Sequence, residues 1–242
     1  MNMVCHRVQP RDVELIPSPA RLLDGEIISW FQHDPLLESF KDMHGRVGIF
    51  GGTFDPIHNG HVLAALSAME AQKLDAVVFI PTSLNPLKSH QPVASNAARL
   101  EMLKLELASR PGLFVSPIEL NRSGASYTID TLREVRRQMP ATASLHMIVG
   151  ADCLDTIHHW REIDSVLAIA SVIVVARGGY QLSPTSLNAK LTQDQNDLLL
   201  HNFVDGGLDC SSTQIKESVA NGGTSEFLSA KVEQYIKTNG IY

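Results

Sequence analysis

From Arg46 onward, short apolar runs alternate with longer stretches in which apolar residues recur at helical spacing. The runs Val47–Phe50, Ala76–Ile80, Leu113–Ser116, Leu145–Val149 and Val172–Ala176 read as buried strands. Between them, His61–Lys73, Asn96–Ser109, Thr128–Gln138 and Trp160–Ala168 carry the apolar stripe of helices packed on a sheet. Parallel neighbours need a crossover, and a helix supplies it, so this repeated order predicts a doubly wound α/β domain with a parallel sheet. Past Gly179 the pattern weakens into a polar segment, Gln181–Asp197. It resumes with a strand expected at Leu199–Val204 and C-terminal helices at Ser212–Ala220 and Glu226–Thr238, the first capped by Ser211 or Ser212.

Residues 1–45 fit no strand–helix unit and share no repeat with the rest, so they read as an extension ahead of one domain over 46–242. Two origins stay open for them: an accessory helix around Ile27–Phe40, or an upstream start codon, since Met43 stands just ahead of the first strand. Oligomeric state has no signal in the pattern.

The 242 residues are 44% hydrophobic and 19% charged, the makeup of a folded domain with a full core. A net charge of -6 speaks against a nucleic-acid surface, which needs clustered lysine and arginine. Phosphate, if bound, is met locally. Three cysteines, Cys5, Cys153 and Cys210, share no Cys-x-x-Cys spacing, which indicates no disulfide framework and fits a reducing cytoplasm. The most apolar stretch, Ser165–Ala176, falls short of the roughly 20 residues that span a bilayer. Arg11, Asp12 and Glu14 interrupt any apolar leader. No membrane partner is expected.

The chemistry concentrates in Val47-Gly-Ile-Phe-Gly-Gly-Thr-Phe-Asp-Pro-Ile-His-Asn-Gly-His61, a strand running through a glycine-rich turn into a helix. Gly51 and Gly52 let backbone approach an anion, and the helix start offers unpaired N–H groups and the positive end of its dipole. The glycine spacing is neither G-x-G-x-x-G nor a Walker loop, which disfavours a nicotinamide-dependent oxidoreductase. His58 and His61, three residues apart, can face one space and donate hydrogen bonds to phosphate oxygens gaining charge, chemistry that needs no covalent nucleophile. A zinc site would need a third ligand that the spacing does not supply.

This string resembles the signature of the HxGH nucleotidyltransferases. That resemblance implies a Rossmann-like fold and attack on the α-phosphate of a nucleoside triphosphate with pyrophosphate leaving. Cys210-Ser-Ser-Thr-Gln-Ile-Lys216 is similar to the family's second signature, Ile-Ser-Ser-Thr-x-Ile-Arg, with Lys216 replacing a bidentate fork by a point charge. Further pieces, Ser126-Tyr-Thr-Ile-Asp-Thr-Leu132, Ile148-Val-Gly-Ala-Asp152, Trp160 and Ala176-Arg-Gly-Gly-Tyr180, resemble the nicotinate-mononucleotide adenylyltransferases. In Pro81-Thr-Ser-Leu-Asn-Pro-Leu-Lys88, Leu87 takes the place of that family's histidine.

The resemblance implies transfer of AMP from ATP to nicotinate mononucleotide in NAD biosynthesis. His58 and His61 are then catalytic. Gly51, Gly52, Thr53, Phe54, Lys88, Ser211, Ser212, Thr213 and Lys216 would hold ATP, with Mg2+ carried in on its phosphates and no metal ligands of the protein's own. Tyr127, Thr128, Gly150, Asp152, Trp160 and Arg177 would hold the mononucleotide, Trp160 by stacking on its ring. Nicotinamide mononucleotide or phosphopantetheine as acceptor, and a non-catalytic nucleotide-binding regulator, are the alternatives.

Overall fold

The computed structural model describes residues 45–88, 90–177, 190–208 and 210–242, with the side chains of Arg177 and Leu200 outside that description. Residues 1–44, with the helix expected at Ile27–Phe40, and Gly178–Tyr180 lie outside the described residues. The elements are β1 (Arg46–Gly52), α1 (Asn59–Gln72), β2 (Ala76–Pro81), α2 (Asn96–Leu107), β3 (Leu113–Val115), α3 (Thr128–Gln138) and β4 (Ser144–Gly150). They continue with α4 (Ile163–Ile169), β5 (Ser171–Arg177), α5 (Gln193–His201), β6 (Phe203–Gly207), α6 (Ser212–Ala220) and α7 (Ala230–Asn239).

The six strands form one parallel sheet in the order β3-β2-β1-β4-β5-β6. The chain works outward from β1 to β3 on one side, then returns to β4 and works outward on the other. β1 and β4 lie side by side (Phe50 opposite Ile148), so the crossovers that follow them leave in opposite directions and open a crevice at their carboxyl ends.

Alternation along the strands divides the core. Val47, Ile49, Val78, Ile80, Met147, Val149, Val172 and Val174 face α3 and α4 through Ile129, Leu132, Val135 and Val166. Phe50, Val77, Phe79, Ile148, Ile173 and Val175 face α1, α2, α6 and α7 through Val62, Ala65, Met102, Leu103, Ile215 and Val232. With both faces covered, β2 is apolar throughout and every one of its residues is buried.

Three sequence expectations shift. Gln193–His201 is a helix where polar loop and then strand were expected, and the strand is Phe203–Gly207. The apolar residues of Leu199–Val204 suggested a strand, but Thr192 accepts from the Gln195 amide and Gln195 returns a bond to the Thr192 amide, a capping box that nucleates a largely solvated helix. Trp160 precedes its helix, because Glu162 at the N-cap turns into the left-handed region (φ 52°) and only Ile163 onward is helical. The last helix begins at Ala230, where the Ser229 hydroxyl accepts from the Val232 amide.

Candidate active site

β1 runs into the turn Gly51–Pro56, and packing explains the bend. Phe54 adopts a left-handed backbone (φ 47°), which costs a residue with a side chain about 1–2 kcal/mol. Its ring is buried 5.6 Å from Phe50, 5.5 Å from Phe79 and 5.0 Å from His61. Burial of a phenylalanine contributes about 1.5–3 kcal/mol, enough to offset the strain.

The next residue, Asp55, is 3% exposed and gathers four donors from three other segments. Its Oδ2 accepts from the Val93 amide (2.9 Å) and Lys216 Nζ (3.0 Å); its Oδ1 accepts from the Ala94 amide (3.0 Å) and the Tyr242 hydroxyl (2.6 Å). Burial pushes the carboxyl up, yet the donors together outweigh it and hold Asp55 below the ordinary carboxylate range. The same burial and the Asp55 charge keep the Tyr242 hydroxyl far above the usual phenol range. Beneath the turn, Arg99 is fully buried and donates to the Thr53 carbonyl and to Asn96 Oδ1, both at 2.6 Å. Burial draws its pKa down; the neighbouring Asp55 opposes that.

His58 caps α1 and His61 stands on its first turn. Their rings stack with centroids 3.7 Å apart. The His58 amide donates to His61 Nδ1 (3.3 Å). In the neutral ring, an accepting Nδ1 leaves the proton on Nε2. His58 is buried, and Cys210 Sγ lies 3.3 Å from its Nδ1. A Cβ on Gly60 would stand 2.5 Å from Cys210 Sγ, so only glycine lets Cys210, just ahead of α6, approach the pair this closely. Gly51 differs: a Cβ there would meet nothing within 4 Å, and the space above it is cavity.

Two cavities open side by side over the carboxyl ends of β1 and β4. The first, of about 520 Å³, is lined by Gly51, Gly52, Thr53, Phe54, Lys88, Ser211, Ser212, Thr213 and Lys216 together with His58 and His61. Every residue expected to meet ATP is brought together there. Lys88 Nζ donates to the Thr53 hydroxyl (2.8 Å), and the Ser212 hydroxyl donates to the Pro56 carbonyl (3.1 Å), joining α6 to the turn. Ser211 caps α6 by accepting from the Gln214 amide (3.3 Å). The start of a nine-residue helix thus faces the histidine pair, with free backbone N–H groups suited to an anion.

The second cavity, of about 570 Å³, gathers Tyr127, Thr128, Gly150, Asp152 and Trp160 with Leu87, Glu119 and Arg161. Gly51, Gly52, Lys88, Gly150 and Asp152 line both cavities and form the rim between them. Arg177 ends β5 next to Ala176 of the first cavity's wall. Glu119, 6% exposed, accepts from the Thr131 hydroxyl (2.7 Å) on one oxygen, while Oε2 has no partner among the described residues. Burial is the largest influence on it and raises its pKa against the hydroxyls of Thr131, Ser126 and Thr82 and the charge of Arg122.

Sequence reasoning missed Asp55, Arg99, Tyr242, Glu119 and Arg161. Asp55 stood inside the quoted string and could have been flagged as a charge that a buried turn must pair. The others become visible only when distant segments meet. Cys210, which stands where the second signature has isoleucine, touches His58. Among the described residues, no group of three or more His, Cys, Asp and Glu side chains is arranged to hold a metal ion, and no helix is long and apolar enough to cross a membrane. The first cavity's backbone N–H groups, hydroxyls and lysines suit phosphate oxygens rather than a bare cation.

Residues 49–218 match the cytidylyltransferase-like family. A protein of Moorella thermoacetica named "Probable nicotinate-nucleotide adenylyltransferase" is 37% identical over 199 residues, covering 82% of this chain and 92% of the relative. One of the same name from Citrifermentans bemidjiense is 39% identical over 212 residues, covering 81% and 98%. Among solved structures, the nicotinic acid mononucleotide adenylyltransferase of Plasmodium falciparum complexed with NaAD aligns with a TM-score of 0.59 at 18% identity, over 81% of this chain and 97% of that one. The same enzyme complexed with APC aligns at 0.60. At this identity the structures speak for the fold.

Proposed function

Because this chain belongs to the cytidylyltransferase-like family, and within it to the nicotinate-nucleotide adenylyltransferases, we propose the reaction that its two cavities accommodate. The enzyme transfers AMP from ATP to nicotinate mononucleotide, giving nicotinate adenine dinucleotide and pyrophosphate, a step of NAD biosynthesis. The observation that carries this assignment is the shared rim of Gly51, Gly52, Gly150 and Asp152 between an anion-suited cavity and one holding an indole.

ATP enters the first cavity as its magnesium complex, the cation carried on its phosphates. Thr53, Lys88, Lys216 and the amides at the start of α6 hold the β- and γ-phosphates, and Gly51 lets the α-phosphate lie against the backbone. The mononucleotide occupies the second cavity, with its ring against Trp160, its ring carboxylate at the start of α3 beside Tyr127 and Thr128, and its ribose near Asp152. Its 5′-phosphate then projects across the rim. One of that phosphate's oxygens attacks the ATP α-phosphorus in line; the bond from the α-phosphorus to the bridging oxygen breaks, and pyrophosphate leaves with the electron pair. The Nε2–H of His61, seconded by His58, donates to the oxygens that gain charge. Catalysis is positioning and charge stabilisation, carried by residues 46–242 in the cytoplasm.

The test is pyrophosphate release from MgATP with nicotinate mononucleotide, nicotinamide mononucleotide and 4′-phosphopantetheine in parallel. Release with the nicotinate acceptor is the expected result. Release with only another acceptor replaces the substrate, and ATP binding without any release makes the protein a nucleotide-binding regulator.

A further inference from the structure

The second cavity contains a charge problem. Asp152 lines it, so an anionic ring substituent gains from a cation nearby. The lining supplies Lys88 and Arg161. Lys88 stands at the rim and bonds Thr53 of the first cavity (2.8 Å). Arg161 belongs to the second cavity alone and follows Trp160 in the chain.

Its guanidinium carbon lies 4.9 Å from the centroid of the Tyr127 ring, the residue that caps α3. This stacking sets the cation beside the helix start where amides are unpaired. Its carboxylate neighbours are loosely engaged: Nη1 is 3.7 Å from Asp130 and Nε is 3.7 Å from Glu162. A charge-assisted bond measures about 2.7–2.9 Å. Glu162 instead makes its short contact, 2.6 Å, with Arg133. Arg161 therefore has N–H donors to spend on a carboxylate that arrives at the start of α3, without breaking a tight pair.

We propose that Arg161 is a specificity-determining residue that selects an acceptor ring bearing a carboxylate over one bearing a neutral carboxamide. Backbone amides at the start of α3 can serve either substituent through its oxygen; the guanidinium separates them by charge. The inference deepens the function proposed above and rests on it.

The experiment compares kcat/KM for nicotinate and nicotinamide mononucleotides, with MgATP saturating, in the wild type, Arg161→Gln and Arg161→Lys. Loss of a hydrogen bond to a charged group corresponds to about tenfold or more. The expected result is that loss for the nicotinate acceptor in Arg161→Gln, less than about twofold change for the nicotinamide acceptor, and substantial rescue by Arg161→Lys. Activity with the nicotinamide acceptor also reports that the variant is folded. Equal losses on both acceptors, or an unchanged ratio, overturn the role of Arg161 and leave the proposed function standing. A wild type that uses neither pyridine mononucleotide overturns both.

Discussion

Asp55 and Glu119 are buried carboxyls beneath adjoining cavities, and their environments drive them in opposite directions. Asp55 receives two backbone amides, an ammonium and a phenol, and is held below the ordinary range. Glu119 has only hydroxyl neighbours and the more distant charge of Arg122; burial wins and its pKa rises. The balance between burial and the number and kind of donors reaching the group sets which way its pKa moves. The first cavity is accordingly built around a fixed ion tied to α6 and to Tyr242. The second has a softer floor and loosely held charges at its mouth.

The largest expected effect tests whether chemistry resides on the first side alone. His61→Ala should lower kcat for pyrophosphate release by about 100- to 1,000-fold with acceptor binding unchanged; a loss under tenfold would move the catalytic burden elsewhere. Asp55→Asn should destabilise the protein by about 2–3 kcal/mol in denaturant titrations, because Lys216 loses its buried counter-charge. It should also raise the KM for ATP. No change in either would mean the four donors are not a unit.

Trp160→Leu probes the other side: the acceptor's KM should rise about tenfold, with the KM for ATP within about twofold. A matching rise for ATP would erase the distinction between the cavities. The smallest effects concern acidity, and here the signs oppose. Asp55 binds its proton more weakly folded than unfolded, so its contribution is present above about pH 4 and is lost as pH falls through its folded pKa. Glu119 binds its proton more tightly folded, so its contribution is full below about pH 4 and is lost as pH rises through its raised pKa. Thermal melts of Glu119→Gln should therefore gain on the wild type as pH increases. A variant that instead loses ground with rising pH would show Glu119 to be ionised and paired.

Much of this was legible in the sequence, for a physical reason. Strand runs buried on both faces and helices at a 3.6-residue period announce themselves, so the strands from β1 to β5 stand near where they were expected. The two signatures lie at strand–turn–helix junctions, and their residues line one cavity. What stayed hidden is non-local. The hydrogen bond from Tyr242 to Asp55 spans 187 positions, and no pattern near either residue signals it. Helix α5 was missed because its apolar residues cluster at its end, while the capping box from Thr192 to Gln195, which was readable, went unweighted.

Trp160 is one of two tryptophans in the chain, the other being Trp30, and it lines the second cavity. The enzyme thereby carries its own optical reporter. A flat, electron-poor ring stacked on that indole should quench its emission, whereas ATP alone, seated across the rim, should leave it almost unchanged. Order of substrate addition could then be followed by stopped-flow light, with no label and no coupled assay.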